Sequence, residues 1–198
     1  MIHYLLTAFI RKTSPKTNDG FTLIELLVAI VILAILTAIA LPSFLGLASK
    51  GNQAEGQQYT NDIATAEQRY YPANHGQFVT ETQNLGALGV GLNLTKSNNW
   101  STSNYSYRLS AISEGGDLSG VVVIATPINN APYKGYLEAV GLIYPEGATE
   151  PVLSTVRCQS KGVGVNATLT SQDVSVVEGA PQAGGASMNC TGNAEPIQ

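Results

Sequence analysis

The feature that most constrains this 198-residue chain is the stretch 26–49, which carries no charged side chain. Across 21–41 the apolar run is interrupted only by Thr22, Glu25 and Thr37. Roughly 20 apolar residues cross the hydrocarbon core of a bilayer as a helix, so this segment is long enough to span. Its apolar side chains run all round the helix, whereas a core helix in a domain this small keeps one polar face. We therefore read 21–41 as a transmembrane segment. Arg11, Lys12 and Lys16 precede it against one acid, Asp19. That excess places the N-terminus in the cytoplasm and everything after Ser49 outside it. A secretory signal would have a shorter apolar core and a small-residue cleavage site. Leu41-Pro42-Ser43-Phe44-Leu45 offers none, so the span reads as a retained anchor.

Composition narrows the chemistry. Charged residues make up 12% of the chain, about half the usual fraction. The net charge of −4 argues against a surface that tracks nucleic acid as a whole. Two cysteines and two histidines exclude a multi-cysteine zinc module. No paired-carboxylate, Ser-His-Asp or phosphate-loop pattern occurs, so no catalytic residue, metal or cofactor is expected. His75 falls in a turn and is given no role.

At the membrane edge the chain reads Asp19-Gly20-Phe21-Thr22-Leu23-Ile24-Glu25-Leu26-Leu27. A carboxylate inside an apolar span is costly and marks a partner; snorkelling to the headgroups is the plainer alternative. Gly-Phe-Thr-Leu-Ile-Glu behind a basic leader resembles the type IV pilins and the related pseudopilins. The likeness is close over about the first quarter of the chain and general beyond it. The resemblance implies that a prepilin peptidase cuts between Gly20 and Phe21 and methylates the Phe21 amine. Removal of 1–20 takes away three basic residues and one acid, moving the net charge to −6. It also implies that Glu25 pairs with the Phe21 amine of a neighbouring copy during assembly. An ion pair of good geometry offsets the desolvation of the carboxylate and fixes register.

Proline at 42 removes a helix hydrogen bond, and Gly46 and Gly51 weaken the helix further. In the resembled family this zone bends and locally unfolds in filaments, so Pro42, Gly46 and Gly51 are read as its weak zone; a tolerated kink in a membrane helix fits equally. After Lys50 the pattern is amphipathic, with Ala54, Ile63, Ala66 and Tyr70 spaced by helical steps and Glu55, Asp62, Glu67 and Arg69 among them. Pro72 and Asn74-His75-Gly76 end it. A helix over 21–71 is roughly 75 Å long at about 1.5 Å per residue. About 125 further residues cannot cover such a rod, so its first half must lie in lipid or in a bundle of identical helices.

The stretch 72–104 reads as a connecting loop. Strand-like runs follow at 105–112, 120–126, 134–144 and 151–157, broken by Gly115-Gly116-Asp117, by 127–132 and by Pro145-Glu146-Gly147. They predict an antiparallel sheet of about four strands packed on the second half of the helix, an α+β head. Cys158 and Cys190 are the only cysteines, and on the oxidising side of the membrane they predict one disulfide. Closing that segment contributes about 3.5 kcal/mol by chain entropy. The family's disulfide-bounded C-terminal region forms an exposed, variable edge, and 158–198 is read the same way.

Lys96, Arg108, Lys134, Arg157 and Lys161 could form a patch for DNA, although nothing in the sequence gathers them. Five Asn-x-Ser/Thr triplets, at Asn93, Asn99, Asn104, Asn166 and Asn189, are expected by chance in so Asn-rich a chain. The reading is a structural subunit of a type IV pilus, not an enzyme. It implies a helical homo-oligomer, with prepilin peptidase, the inner-membrane assembly machinery and membrane lipid as partners. The subunit would sit in the inner membrane before assembly and in an extracellular filament after it, serving motility, adhesion or DNA uptake. The alternatives are a pseudopilin of a type II secretion system and a membrane-anchored extracytoplasmic binding protein. Acids are too sparse in the last forty residues (Asp173, Glu178, Glu195) for the calcium loop common in pseudopilins.

Overall fold

The computed structural model describes residues 20–94, 100–114, 117–144, 149–177 and 187–197. The leader at 1–19 lies outside the described residues. So do the turn positions 115–116 and 145–147 and most of the Gly- and Ala-rich stretch after Val177. The chain divides into two units, residues 1–44 and 45–198.

In the first unit, helix α1 (Leu23–Ala73) begins two residues after Phe21. The charge-free sequence around it explains its appearance: from Phe21 onward every large apolar side chain is exposed, including Leu27, Ile32, Leu36 and Leu41. None of this apolar window is buried by the rest of the protein. Pro42, Gly46 and Gly51 all lie within α1, and a side chain at either glycine would meet nothing within 4 Å.

The second unit starts with the remainder of α1. Buried residues Gly56, Thr60, Ile63, Ala64 and Glu67 recur at three- and four-residue steps and form its inner face. Pro72 lies in the last turn rather than beyond it. The end of the helix is sealed by Asn74 and Gly76, whose N–H groups donate to the Tyr70 and Tyr71 carbonyls at 2.9 Å each. His75 and Gly76 are both left-handed there.

The stretch expected as loop carries a 3-10 helix at Thr82–Leu88 and two short strands, β1 (Asn93–Leu94) and β2 (Trp100–Ser101). Four long strands follow: β3 (Tyr105–Glu114), β4 (Asp117–Pro127), β5 (Lys134–Ile143) and β6 (Val152–Val163). The C-terminal region is richer than a loop, with β7 (Val174–Val177), β8 (Ser187–Cys190) and β9 (Ala194–Pro196). Strands β1 to β6 run in chain order with β9 on the outside, every pairing antiparallel, and β7 and β8 form a separate ribbon. The sheet therefore has seven strands where about four were expected. The additions are strands of two or three residues, too short to show an alternation in sequence.

Both faces of this sheet are covered. On one face Tyr105, Tyr107, Val121, Val123, Ala125 and Val140 pack with Ile63 and Ala64 of α1 and with Leu85. On the other, Val122, Ile124, Leu137 and Ala139 pack with Leu169, Val174 and Met188 of the C-terminal excursion. Strand β4 is accordingly buried from Val121 to Ala125 without a break. An uninterrupted apolar run of that kind belongs to a strand enclosed on both sides.

The helix-facing side is rich in tyrosine. Tyr105 lies 6.2 Å from Tyr133, 6.0 Å from Tyr136 and 6.4 Å from Tyr107, ring centre to ring centre. Its hydroxyl donates to the Lys134 carbonyl at 2.9 Å. Gly56 makes this approach of helix to sheet possible, since a Cβ there would sit 2.7 Å from the Tyr105 ring. Tyr105 is fully buried and has nowhere to retreat. Gly56→Ala gains about 1 kcal/mol of helix propensity but incurs an overpacking cost of about 1–3 kcal/mol. A lower unfolding midpoint in the tyrosine near-UV dichroism is expected.

Candidate assembly site at the start of the helix

The start of α1 is organised by two side chains three residues apart. The Thr22 backbone N–H and its hydroxyl donate to Glu25 Oε2 at 3.1 and 3.0 Å. The Glu25 N–H in turn donates to Thr22 Oγ1 at 3.2 Å. This reciprocal arrangement is a capping box, which satisfies two of the four N–H groups that any helix leaves unpaired at its start. The Leu26 N–H closes the first turn onto the Thr22 carbonyl at 3.3 Å. Glu25 is thus an acid in the first turn of a long helix, where its charge also suits the positive end of the helix dipole. Thr22 is the residue the sequence reading missed. The signal was present, since Thr-x-x-Glu before an apolar run is the capping-box signature.

Gly20 and Phe21 precede the cap as exposed, non-helical residues. Phe21 is 83% exposed, and a side chain at Gly20 would meet nothing within 4 Å. Among the described residues, the Gly20–Phe21 bond is therefore unencumbered. The apolar helix behind it sets the energetics. Seventeen large apolar side chains from Phe21 to Leu47 are exposed. Their burial elsewhere is worth on the order of tens of kcal/mol. That exceeds the whole stability of an ordinary domain, about 5–15 kcal/mol. Such a surface calls for cover by lipid or by another apolar protein surface.

The other residues singled out in the sequence lie in the head. Cys158 and Cys190 form the disulfide, with Cα atoms 5.9 Å apart. The bond anchors β8 to β6. A second device holds the same region: Asp173 Oδ2 accepts from the Thr170 N–H and hydroxyl at 2.8 and 3.0 Å. Its Oδ1 accepts from the Asn193 N–H at 2.6 Å. Both carboxylate oxygens are thereby committed to donors within the chain. Among the described residues, no cluster of three or more His, Cys, Asp or Glu side chains gathers.

Of the cations considered as a patch, the four among the described residues are each engaged internally. Arg108 donates to the Leu169 carbonyl, and Lys161 donates to the Gly192 carbonyl at 2.7 Å. Lys134 pairs with Glu195 at 2.7 Å, which holds that carboxyl below its ordinary value. Arg157 lies 3.3 Å from Glu138. Burial pushes the Glu138 carboxyl up, and Arg157 pulls it back. Lys96 lies outside the described residues. Asn104, one of the triplet asparagines, spends its amide on Glu55 Oε2.

Comparison with known proteins agrees with this geometry. The prokaryotic N-terminal methylation motif matches residues 15–41, and the type IV pilin-like G and H family matches residues 53–190. The chain belongs to the type IV pilin and pseudopilin family, whose members are structural proteins. It is 36% identical over 84 residues to the type IV wide pilus major component PilA4 of Thermus thermophilus, covering 42% of this chain and 61% of that protein. It is 34% identical over 62 residues to the type IV major pilin protein PilA of Myxococcus xanthus, covering 31% of this chain and 28% of that one. Type II secretion system core protein G of Dickeya chrysanthemi is 37% identical over 75 residues, covering 37% of this chain and 47% of that protein. The matches thus span less than two thirds of each relative's length. No solved structure gives a significant match.

Proposed function

We propose that this chain is the structural subunit of a type IV pilus. Its precursor spans the inner membrane once with the N-terminus in the cytoplasm. Prepilin peptidase cuts between Gly20 and Phe21 and methylates the Phe21 amine, and the assembly machinery extracts the mature subunit into a filament. Glu25 pairs there with the Phe21 amine of a neighbouring copy, and Pro42, Gly46 and Gly51 let the helix yield as it packs. The filament then serves motility, adhesion or DNA uptake.

The observation that carries this reading is the capped, wholly exposed apolar helix behind an unencumbered Gly20–Phe21 bond. A carboxylate exposed on an apolar helix is available to an outside cation, and identical copies supply one at each new N-terminus. A pseudopilin of a type II secretion system is the second reading, favoured by the likeness to core protein G. Against it stands Asp173, whose two oxygens face backbone N–H donors and close up the C-terminal region by themselves.

Mass spectrometry of material sheared from intact cells, compared with the membrane fraction, tests the proposal. The expected result is a dominant sheared protein that begins with methylated Phe21. Processed protein confined to the membrane would favour the pseudopilin. An intact leader in cells with active prepilin peptidase would leave only a membrane anchor.

A further inference from the structure

Past the end of α1, the segment 77–88 borders a cleft of about 570 Å³. The segment is clamped to the head. The Val79 N–H donates to Glu67 Oε2 at 3.2 Å, Thr82 Oγ1 accepts the Leu109 N–H of β3 at 3.0 Å, and Leu85 is fully buried. With Val79 and Leu85 buried, the residues around them are left outside: Glu81, Gln83, Asn84, Gly86 and Ala87 are exposed and line the cleft. Part of the wall is aromatic. Tyr70, partly exposed, and Phe78 contribute to it, and Phe78 is held against Tyr71 with ring centres 4.4 Å apart.

The polar side chains form one connected row. Gln83 Nε2 and Asn84 Nδ2 both donate to Glu81 Oε2, and the Asn84 N–H donates to the Glu81 carbonyl at 3.0 Å. That leaves Glu81 Oε1, two amide oxygens and the second proton of each amide for a ligand. No lysine, arginine or histidine lines the cleft, so it offers no counter-charge to a phosphate or carboxylate. No second acid lines it either, and a hard metal ion takes six or more oxygens with several carboxylates among them. Acceptors and donors beside an aromatic ring match a sugar instead. Each sugar hydroxyl both donates and accepts, and the C–H face of a pyranose suits the negative face of an aromatic ring.

We infer that this cleft binds a neutral hexopyranoside. The sugar ring lies on Tyr70, and neighbouring hydroxyls bridge Glu81 Oε1 and the Asn84 amide. The cleft lies wholly within residues 45–198, so the inference does not depend on the assembly proposed above.

The test uses the mature full-length chain carrying Glu25→Ala, held in phosphocholine micelles whose headgroup is not a sugar. The methyl glycosides of glucose, galactose, mannose and N-acetylglucosamine serve as probes, read by saturation-transfer NMR. Saturation is expected to pass from the protein to the ring C–H protons of at least one of them. Glu81→Ala and Asn84→Ala, both at exposed positions, are expected to weaken that binding about tenfold each while leaving the near-UV dichroism unchanged. The methyl glucuronide, which brings a carboxylate against Glu81, is expected to bind more weakly than the glucoside. No transfer to any probe overturns the inference. Binding indifferent to both substitutions overturns it too, by placing the sugar elsewhere on the chain or on the micelle. Butylammonium bound in place of every glycoside, and released by salt, would make the cleft a cation site and overturn it as well. Filament formation does not enter this measurement, so its failure and a failure of the pilus reading are told apart.

Discussion

Replacing Glu25 with alanine is expected to abolish surface filaments while cleavage at Gly20–Phe21 proceeds. Two properties of Glu25 are removed together in that variant, its negative charge and its half of the capping box with Thr22. They can be separated because a glutamine at the third helical position still accepts from the cap residue. Glu25→Gln keeps the cap and loses the charge; Thr22→Ala keeps the charge and loses the cap. A helix cap is worth about 1 kcal/mol, whereas stripping one partner from a desolvated ion pair costs about 3–5 kcal/mol. Assembly through the charge therefore predicts that Glu25→Gln fails as completely as Glu25→Ala, with Thr22→Ala mildly affected. Filament yield in the sheared fraction, with N-terminal mass spectrometry of the membrane fraction, reads both steps. Normal filaments from Glu25→Gln would sink the pairing and leave Glu25 a capping residue.

The same two residues show what a sequence discloses. The long apolar helix and the motif at its edge are legible because charge is absent over 26–49 and basic residues cluster before it. The four long strands are legible from turn residues between β-branched runs, and the disulfide from a lone cysteine pair. The cap was overlooked because Glu25 was weighed as a cost in lipid rather than as a partner for Thr22. The second cover of the sheet was overlooked for a related reason. The run from Val121 to Ala125 is buried on both faces, whereas the sequence placed only the helix against the sheet. What covers it comes from Leu169, Val174 and Met188, apolar residues scattered through a mostly polar stretch. Their placement depends on long-range ties, the disulfide and the Asp173 hydrogen bonds, that no local pattern encodes. Glu67 was read as one of the polar residues of an amphipathic helix, and it lies instead inside the head.

That burial gives the second large effect. Glu67 is wholly shielded from solvent. Oε2 accepts the Val79 N–H at 3.2 Å, and Oε1 has no partner among the described residues. Desolvation pushes the carboxyl from 4.5 up to about 7, and the Val79 hydrogen bond offsets only part of the rise. The folded chain therefore holds a proton on Glu67 that the unfolded chain has released between pH 4.5 and about 7. Stability falls as pH rises through that window, because the unfolded state binds fewer protons there. Below it the two states carry the same proton and the difference vanishes. The whole loss is about 3 kcal/mol, a large fraction of a head domain's stability. Glu67→Gln resembles the protonated side chain at every pH. The variant is expected to match the parent near pH 4.5 and to exceed it by pH 8, with a midpoint higher by roughly 5–10 °C. Thermal unfolding across that range, followed by tyrosine near-UV dichroism in detergent, checks the sign. Parallel curves for the two proteins would mean that Glu67 ionises without cost, through an outlet to solvent that its burial denies. The residue also ties the last turns of α1 to Val79, the first segment to leave the helix.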